Sequence, residues 1–275
     1  MPVHRITKKK SKKSSLKAAT GAVAARSGSR LITQSKRIVL PTEKTVPSVD
    51  PSDYIMCFFG QPGSGKTTFV NALADRVLFL STDRGTRFQP SLRVECNSWE
   101  DFLEVLTQME AEEAPEYQIV AIDHASDWAN LAETYVLTKL GVESFSDLDW
   151  GKGWKAFKTE LFTFMARLKA LNCGIVFISH ETTKELEVAG IKVDRCMPDL
   201  GRSAYNMIIP LCDIVGHCWI KPMKDKNNKR VDRWALETSP RIDLFAKDRT
   251  TRRKPSGERP WEPLDGEHFL STFGG

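Results

Sequence analysis

The residues with the plainest chemical potential run Gly60-Gln61-Pro62-Gly63-Ser64-Gly65-Lys66-Thr67 and fit G-x-x-x-x-G-K-[ST] at every fixed position. Glycines at this spacing let a loop wrap with its N–H groups aimed at an anion. The chemistry of such a loop is binding of a nucleoside triphosphate. Lys66 would reach the β- and γ-phosphates, the Thr67 hydroxyl would coordinate Mg²⁺, and Thr68 would add a phosphate donor. Farther on, Ile119-Val120-Ala121-Ile122-Asp123 is an apolar run ending in a carboxylate. That pattern places an acid where it can hold the Mg²⁺ shell, so Thr67 and Asp123 are the candidate metal-site residues.

Four more residues are candidates for catalysis. Many phosphate-loop ATPases place a glutamate directly after the strand-end aspartate, and here that position is His124. A water-activating carboxylate must come from elsewhere, or hydrolysis is slow. Asp83, in Ser81-Thr82-Asp83-Arg84-Gly85, is the best placed, although Asp-Arg-Gly equally suits a plain turn. His180 closes the apolar run 174–179, and strand C-termini line the ligand crevice of a parallel sheet. It is a candidate sensor of the γ-phosphate or the water, or a histidine satisfied locally. Lys247 and Arg249 are two apart, so on a strand they point the same way and could offset transition-state charge. A solvated basic end is the alternative, because Arg252, Arg253 and Lys254 follow.

Short apolar runs alternating with amphipathic stretches must position these residues. Strands are expected at 54–59, 77–81, 117–122 and 174–179, and helices at 67–76, 98–113, 128–140 and 154–171. Ser98, with Asp101 three residues on, reads as a helix N-cap. Strand–helix alternation implies an α/β fold with a mostly parallel central sheet and helices on both faces. Residues 181–201 are polar, contain Gly190, Pro198 and Gly201, and read as a long loop. Runs at 214–220 and 231–236 around a polar turn predict a C-terminal antiparallel hairpin, with a further strand at 242–246. The domain expectation is a basic, disordered tail and linker over 1–52, a nucleotide-binding domain over 53–250 and an irregular tail over 251–275.

Composition narrows the class. The chain has 275 residues, 41% apolar and 27% charged, enough for a packed core. No apolar run approaches the roughly 18 residues of a membrane helix. Residues 1–40 hold eleven Lys and Arg and no acid, so the remainder carries 29 basic and 35 acidic residues. The basic pI of about 8.8 therefore comes from the tail and is weak evidence that the folded part binds nucleic acid. The lysine block 8–13 suits a nuclear signal, a nucleic-acid arm or a solvated extension, and the stretch faintly resembles a transit peptide. Six cysteines without a CxxC pair read as reduced thiols. Cys212, His217 and Cys218 lack the second pair that a zinc site needs.

Taken in order, GQPGSGKTT, STDRGT, IVAID, the DLDW segment, VFISHE and AKDRT resemble phage-encoded RecA-like P-loop nucleotide-binding proteins of the single-strand-annealing type over residues 53–250. The resemblance implies ATP and Mg²⁺ as cofactors and a RecA-like P-loop NTPase fold. It implies Asp83 as the catalytic carboxylate, in a position where relatives often carry Glu. It implies that Lys247 and Arg249 reach a neighbouring subunit's ATP, hence a homo-oligomeric ring or filament. Single-stranded DNA is the implied partner, met near residues 181–205 through Lys184, Lys192, Arg195, Arg202 and Tyr205, with a single-strand-binding protein as a further partner. The implied location is the cytoplasm, that of a bacterial host if the gene is a phage's. The loop's five acids weaken its case, and the segment 221–259, with thirteen cations against six acids, is the better electrostatic candidate. The expected function is an ATPase acting on single-stranded DNA in recombination or annealing. A replicative helicase motor or loader, or a nucleotide-gated scaffold without turnover, are the alternatives. The absence of an N-K-x-D motif argues against a GTPase.

Overall fold

A computed structural model describes residues 40–83, 85–111, 116–254 and 261–273. The lysine block and most of the basic N-terminal stretch lie outside them. Residues 46–275 form one compact unit. Among the described residues, no helix is long and apolar enough to cross a membrane.

The elements follow in chain order: β1 (Ile55–Phe59), α1 (Lys66–Asn71), β2 (Val77–Ser81), β3 (Leu92–Glu95), α2 (Trp99–Met109), β4 (Ile119–Asp123), α3 (Ala125–Leu140), α4 (Lys152–Ala170), β5 (Gly174–Ser179), β6 (Glu181–Val188), β7 (Ile191–Pro198), α5 (Arg202–Leu211), β8 (Ile214–Lys224), β9 (Arg230–Glu237), β10 (Lys247–Asp248), β11 (Glu262–Pro263) and α6 (Gly266–Ser271). The main sheet runs β11-β9-β8-β1-β5-β4-β2-β3, with β10 pairing β8. From β8 to β3 every pair is parallel, and β8, β9, β10 and β11 pair antiparallel. One strand, β5, therefore lies between the phosphate-loop strand β1 and the Asp123 strand β4. That order, on a mainly parallel sheet, is the RecA-like P-loop NTPase fold.

The central strands are apolar on both faces, so alternate residues feed two cores. Cys57, Phe59, Leu80, Ile122 and Phe177 face α2 to α5, including Trp99, Trp128 and the Phe157, Leu161, Phe164, Met165 and Leu168 stripe of α4. Met56, Phe58, Phe79, Ala121 and Ile178 face α1 and α6, where Phe69, Val70 and Phe269 are buried. The expected cap at Ser98 forms as a full capping box with Asp101.

Three expectations are corrected. Residues 181–198 are not a loop: β6 and β7 form their own two-stranded antiparallel sheet. Residues 242–246 form no strand of their own, and pairing there is a single bridge from Leu244 to Cys196, with β10 following at Lys247. The C-terminal end is not irregular where it is described. It adds β11 to the sheet and buries Phe269 of α6 against Phe58 and Phe69.

Candidate active site

The phosphate loop spans the end of β1 and the start of α1, as the glycines require. An added Cβ at Gly60 would lie 1.9 Å from the Cys218 carbonyl oxygen, so β8 passes too close for any side chain there. Gly65 holds φ at +83°, a conformation that disfavours other residues, and delivers Lys66 into the first turn. Lys66 is buried, and its Nζ donates to the carbonyls of Gly60 (2.9 Å) and Gln61 (2.8 Å) and weakly to Ser64 Oγ (3.4 Å). Burial lowers its pKa, against the opposing effects of Cys218, Asp123 and Glu181. Gly60, Gln61, Ser64 and Lys66 are thus joined in one small network. Pro62, Gly63 and Thr68 line the adjoining cavity of about 890 Å³.

Three strand ends bring the acid–base groups to the same place. Asp123 is 1% exposed, and its Oδ2 accepts a hydrogen bond from Thr67 Oγ1 at 3.0 Å. Its other oxygen, Oδ1, is buried without a hydrogen-bond partner among the described residues, with His124 Nε2 at 3.4 Å. Burial raises the Asp123 pKa, while His124, the Thr67 bond and Lys66 pull it down. A buried carboxylate with an orphaned oxygen beside a threonine hydroxyl fits a hydrated divalent cation, because the cation's waters would satisfy the oxygen. Asp83, just beyond β2, also lines the cavity, and its Oδ2 sits 3.0 Å from His124 Nε2. His124 in turn packs against His180, with ring centroids 4.2 Å apart. Burial, and after it the electrostatic effect of His124 and Lys66, lower the His180 pKa, which favours its neutral ring.

Lys247 and Arg249 are not brought to this cavity. β10 pairs with the start of β8, toward the end of β1 opposite the phosphate loop. There Lys247 Nζ donates to the carbonyls of Ile209 (3.1 Å) and Pro210 (3.3 Å), and Arg249 to Cys212 O and Asp213 Oδ1 (3.0 Å each). Both cations satisfy the C-terminal carbonyls of α5. Cys212 and Cys218, near His217 in the sequence, separate as well. Cys212 belongs to one core and Cys218 to the other. His217 instead meets Glu181 Oε2 at 2.8 Å and Cys196 Sγ at 3.9 Å. Glu181 Oε1 accepts from Gln61 Nε2 (3.0 Å), which ties the start of β6 to the phosphate loop.

Sequence reasoning treats His124 only as a missing glutamate, yet it contacts Asp83, Asp123 and His180. It also overlooks Trp234, Leu264 and Asp265, which line the same cavity. Nothing in their local sequence marks them, because they reach it only through pairing of β9 with β11.

No curated protein sequence matches the chain. Among solved structures, a KaiC-like protein from the hyperthermophilic archaeon Pyrococcus horikoshii OT3 aligns with 13% identity and a TM-score of 0.38, covering 68% of this chain and 78% of that one. The AAA domain family model matches residues 52–250. A phosphate loop, a strand-end aspartate on its threonine and a family match over most of the chain lead to one conclusion: this protein belongs to the AAA domain family of P-loop nucleotide-binding ATPases.

Proposed function

We propose that the protein hydrolyses ATP with Mg²⁺ and couples turnover to single-stranded DNA in recombination or strand annealing, as a ring or filament of like subunits. The observation that carries the hydrolytic reading is Asp83 held against His124 beside Lys66, Thr67 and Asp123. Lys66 would exchange its carbonyl partners for phosphate oxygens. Thr67 and Asp123 would hold Mg²⁺, which offsets negative charge on the phosphates. Asp83 would orient the attacking water and take its proton as the γ-phosphoryl group leaves the β-phosphate oxygen. His124 positions Asp83, and the neutral His180 ring packs behind it. Lys247 and Arg249, remote from this chain's own loop, suit a neighbour's site only in an assembly.

Support for single-stranded DNA is electrostatic and rests also on the family resemblance. The β6–β7 sheet is a weak candidate, because Lys192 pairs with Glu185 at 2.8 Å and Arg195 Nε donates to the Ile242 carbonyl. The β8–β9 hairpin carries Lys221, Lys224, Lys229, Arg230 and Arg233, and Lys221 lies 4.0 Å from the Trp261 ring centroid. Cations beside aromatics suit a single strand.

The test is ATP turnover with and without single-stranded DNA in the wild type, Lys66→Ala, Asp83→Ala and His124→Ala. The reading expects DNA-stimulated turnover. Lys66→Ala should lose binding. Asp83→Ala should lose turnover about 100-fold or more with binding intact, and His124→Ala about 10-fold. Full turnover in Asp83→Ala overturns its assignment. Turnover indifferent to DNA overturns the DNA coupling.

A further inference from the structure

The cavity over the phosphate loop has a second end with a different character. Beyond Thr68 its walls are Phe69, Ala72, Trp234 and Leu264, with Asp265 and Gly266 at the rim. Cross-strand pairing sets this wall: Pro263 lies opposite Ala235, and the Leu264 N–H donates to the Trp234 carbonyl at 3.1 Å. Trp234 and Leu264 then close over the loop. A Cβ built on Gly65 would sit 3.2 Å from Trp234 Cδ1 and 3.3 Å from Leu264 Cδ2. Trp234 is nonetheless 55% exposed, a large flat apolar ring left open beside an anion-binding loop.

Resting on the nucleotide reading above, we propose that Trp234, Leu264 and Asp265 hold the nucleobase and select adenine. The indole offers a stacking face and Leu264 an apolar edge, and stacking on an aromatic tolerates any base. Selection falls to Asp265. Its Oδ1 accepts the His268 N–H at 2.8 Å, which orients the carboxylate and turns Oδ2 to the base as an acceptor. One acceptor matches the exocyclic amine of adenine. Hypoxanthine presents a carbonyl oxygen at that position and is repelled. Guanine carries the same carbonyl oxygen at that position and is repelled in the same pose.

The test measures equilibrium binding of ATP, ITP, GTP and inorganic triphosphate with Mg²⁺ to the full chain, by calorimetry. The wild type should bind ATP about 10-fold or more tighter than ITP or GTP. Trp234→Ala should weaken ATP about 10- to 100-fold and leave triphosphate unchanged, and Trp234→Phe should recover most of the loss. Asp265→Asn, which keeps an acceptor for the His268 N–H, should bring ATP and ITP to similar affinity. Equal losses for ATP and triphosphate in Trp234→Ala, no loss in either, or wild-type affinity for ITP or GTP matching ATP would each overturn the base assignment while the phosphate site stands. Failure of the wild type to bind either ATP or triphosphate would overturn the nucleotide reading itself.

Discussion

Asp123, the proposed Mg²⁺ residue, carries a cost to the fold. Its pKa is raised by burial, so folding favours its protonated form. The contribution to stability is present below the ordinary carboxylate value of 3.8 and is lost as pH rises through the raised value. At neutral pH, without metal, the charge is therefore a cost. Asp123→Asn should raise the thermal midpoint of the nucleotide-free protein, by on the order of 1 kcal/mol, and abolish Mg²⁺-dependent turnover. Thermal melts with EDTA, beside an ATPase assay, check both halves. A lowered midpoint would mean that the Thr67 bond to the charged carboxylate outweighs its desolvation. In the wild type, Mg²⁺-dependent nucleotide binding should weaken as pH falls through the raised pKa, because the metal needs the ionised form. His180 behaves oppositely: burial lowers its pKa, so folding favours its neutral ring.

At the scale of elements, the C-terminal segment is the test case. An added Cβ at Gly266 would meet the Ala72 Cβ at 2.6 Å and the Ala72 carbonyl oxygen at 2.7 Å. Gly266→Ala should therefore push α6 off the end of α1, lower the thermal midpoint by about 1–3 kcal/mol of stability and weaken nucleotide binding as well. An unchanged midpoint would show that α6 docks without that close approach. The same segment marks the limit of what was legible. The parallel strands could be read because their apolar runs are continuous and bounded by turns, and the phosphate loop, Asp123, Asp83 and His180 came with them as strand ends. The β6–β7 pair was not, because its strands lie off the main sheet and are mostly exposed, so no face demanded apolar residues. Helix α5 carries Pro210 inside its last turn and follows Gly201, which masked it. Strand β11 and helix α6 have two and six residues, too few for a period to show. Lys247 and Arg249 followed the strand-alternation rule, but spacing alone could not tell which end of the sheet they would reach.

At the scale of the molecule, charge and fold are separable. Eleven cations without an acid precede residue 41, while the compact unit begins at Val46. Removing residues 1–45 should leave nucleotide affinity unchanged. It should reduce the salt dependence of the proposed single-strand binding by about 0.7 in log–log slope for each phosphate that the tail would neutralise. Fluorescence anisotropy with a labelled oligonucleotide across salt concentrations reads this directly, and an unaltered slope would assign the phosphate pairing to the β8–β9 hairpin or its surroundings. The compact unit also extends beyond the family match, which ends at residue 250. Just past that point Arg252 is fully buried, ion-paired with Asp248 at 2.7 Å and Glu262 at 2.8 Å, bonded to Thr238 Oγ1 and stacked over Phe269. A chain cut after Thr250 would leave Asp248 buried without this partner, a loss of about 3–5 kcal/mol for such pairs. The family match and the compact unit thus have different borders here. The loop 60–68 lies within the family match, whereas Leu264 and Asp265 lie beyond it. With Leu264 and Asp265 facing the base as proposed, base choice would be set outside the family match and phosphate binding within it.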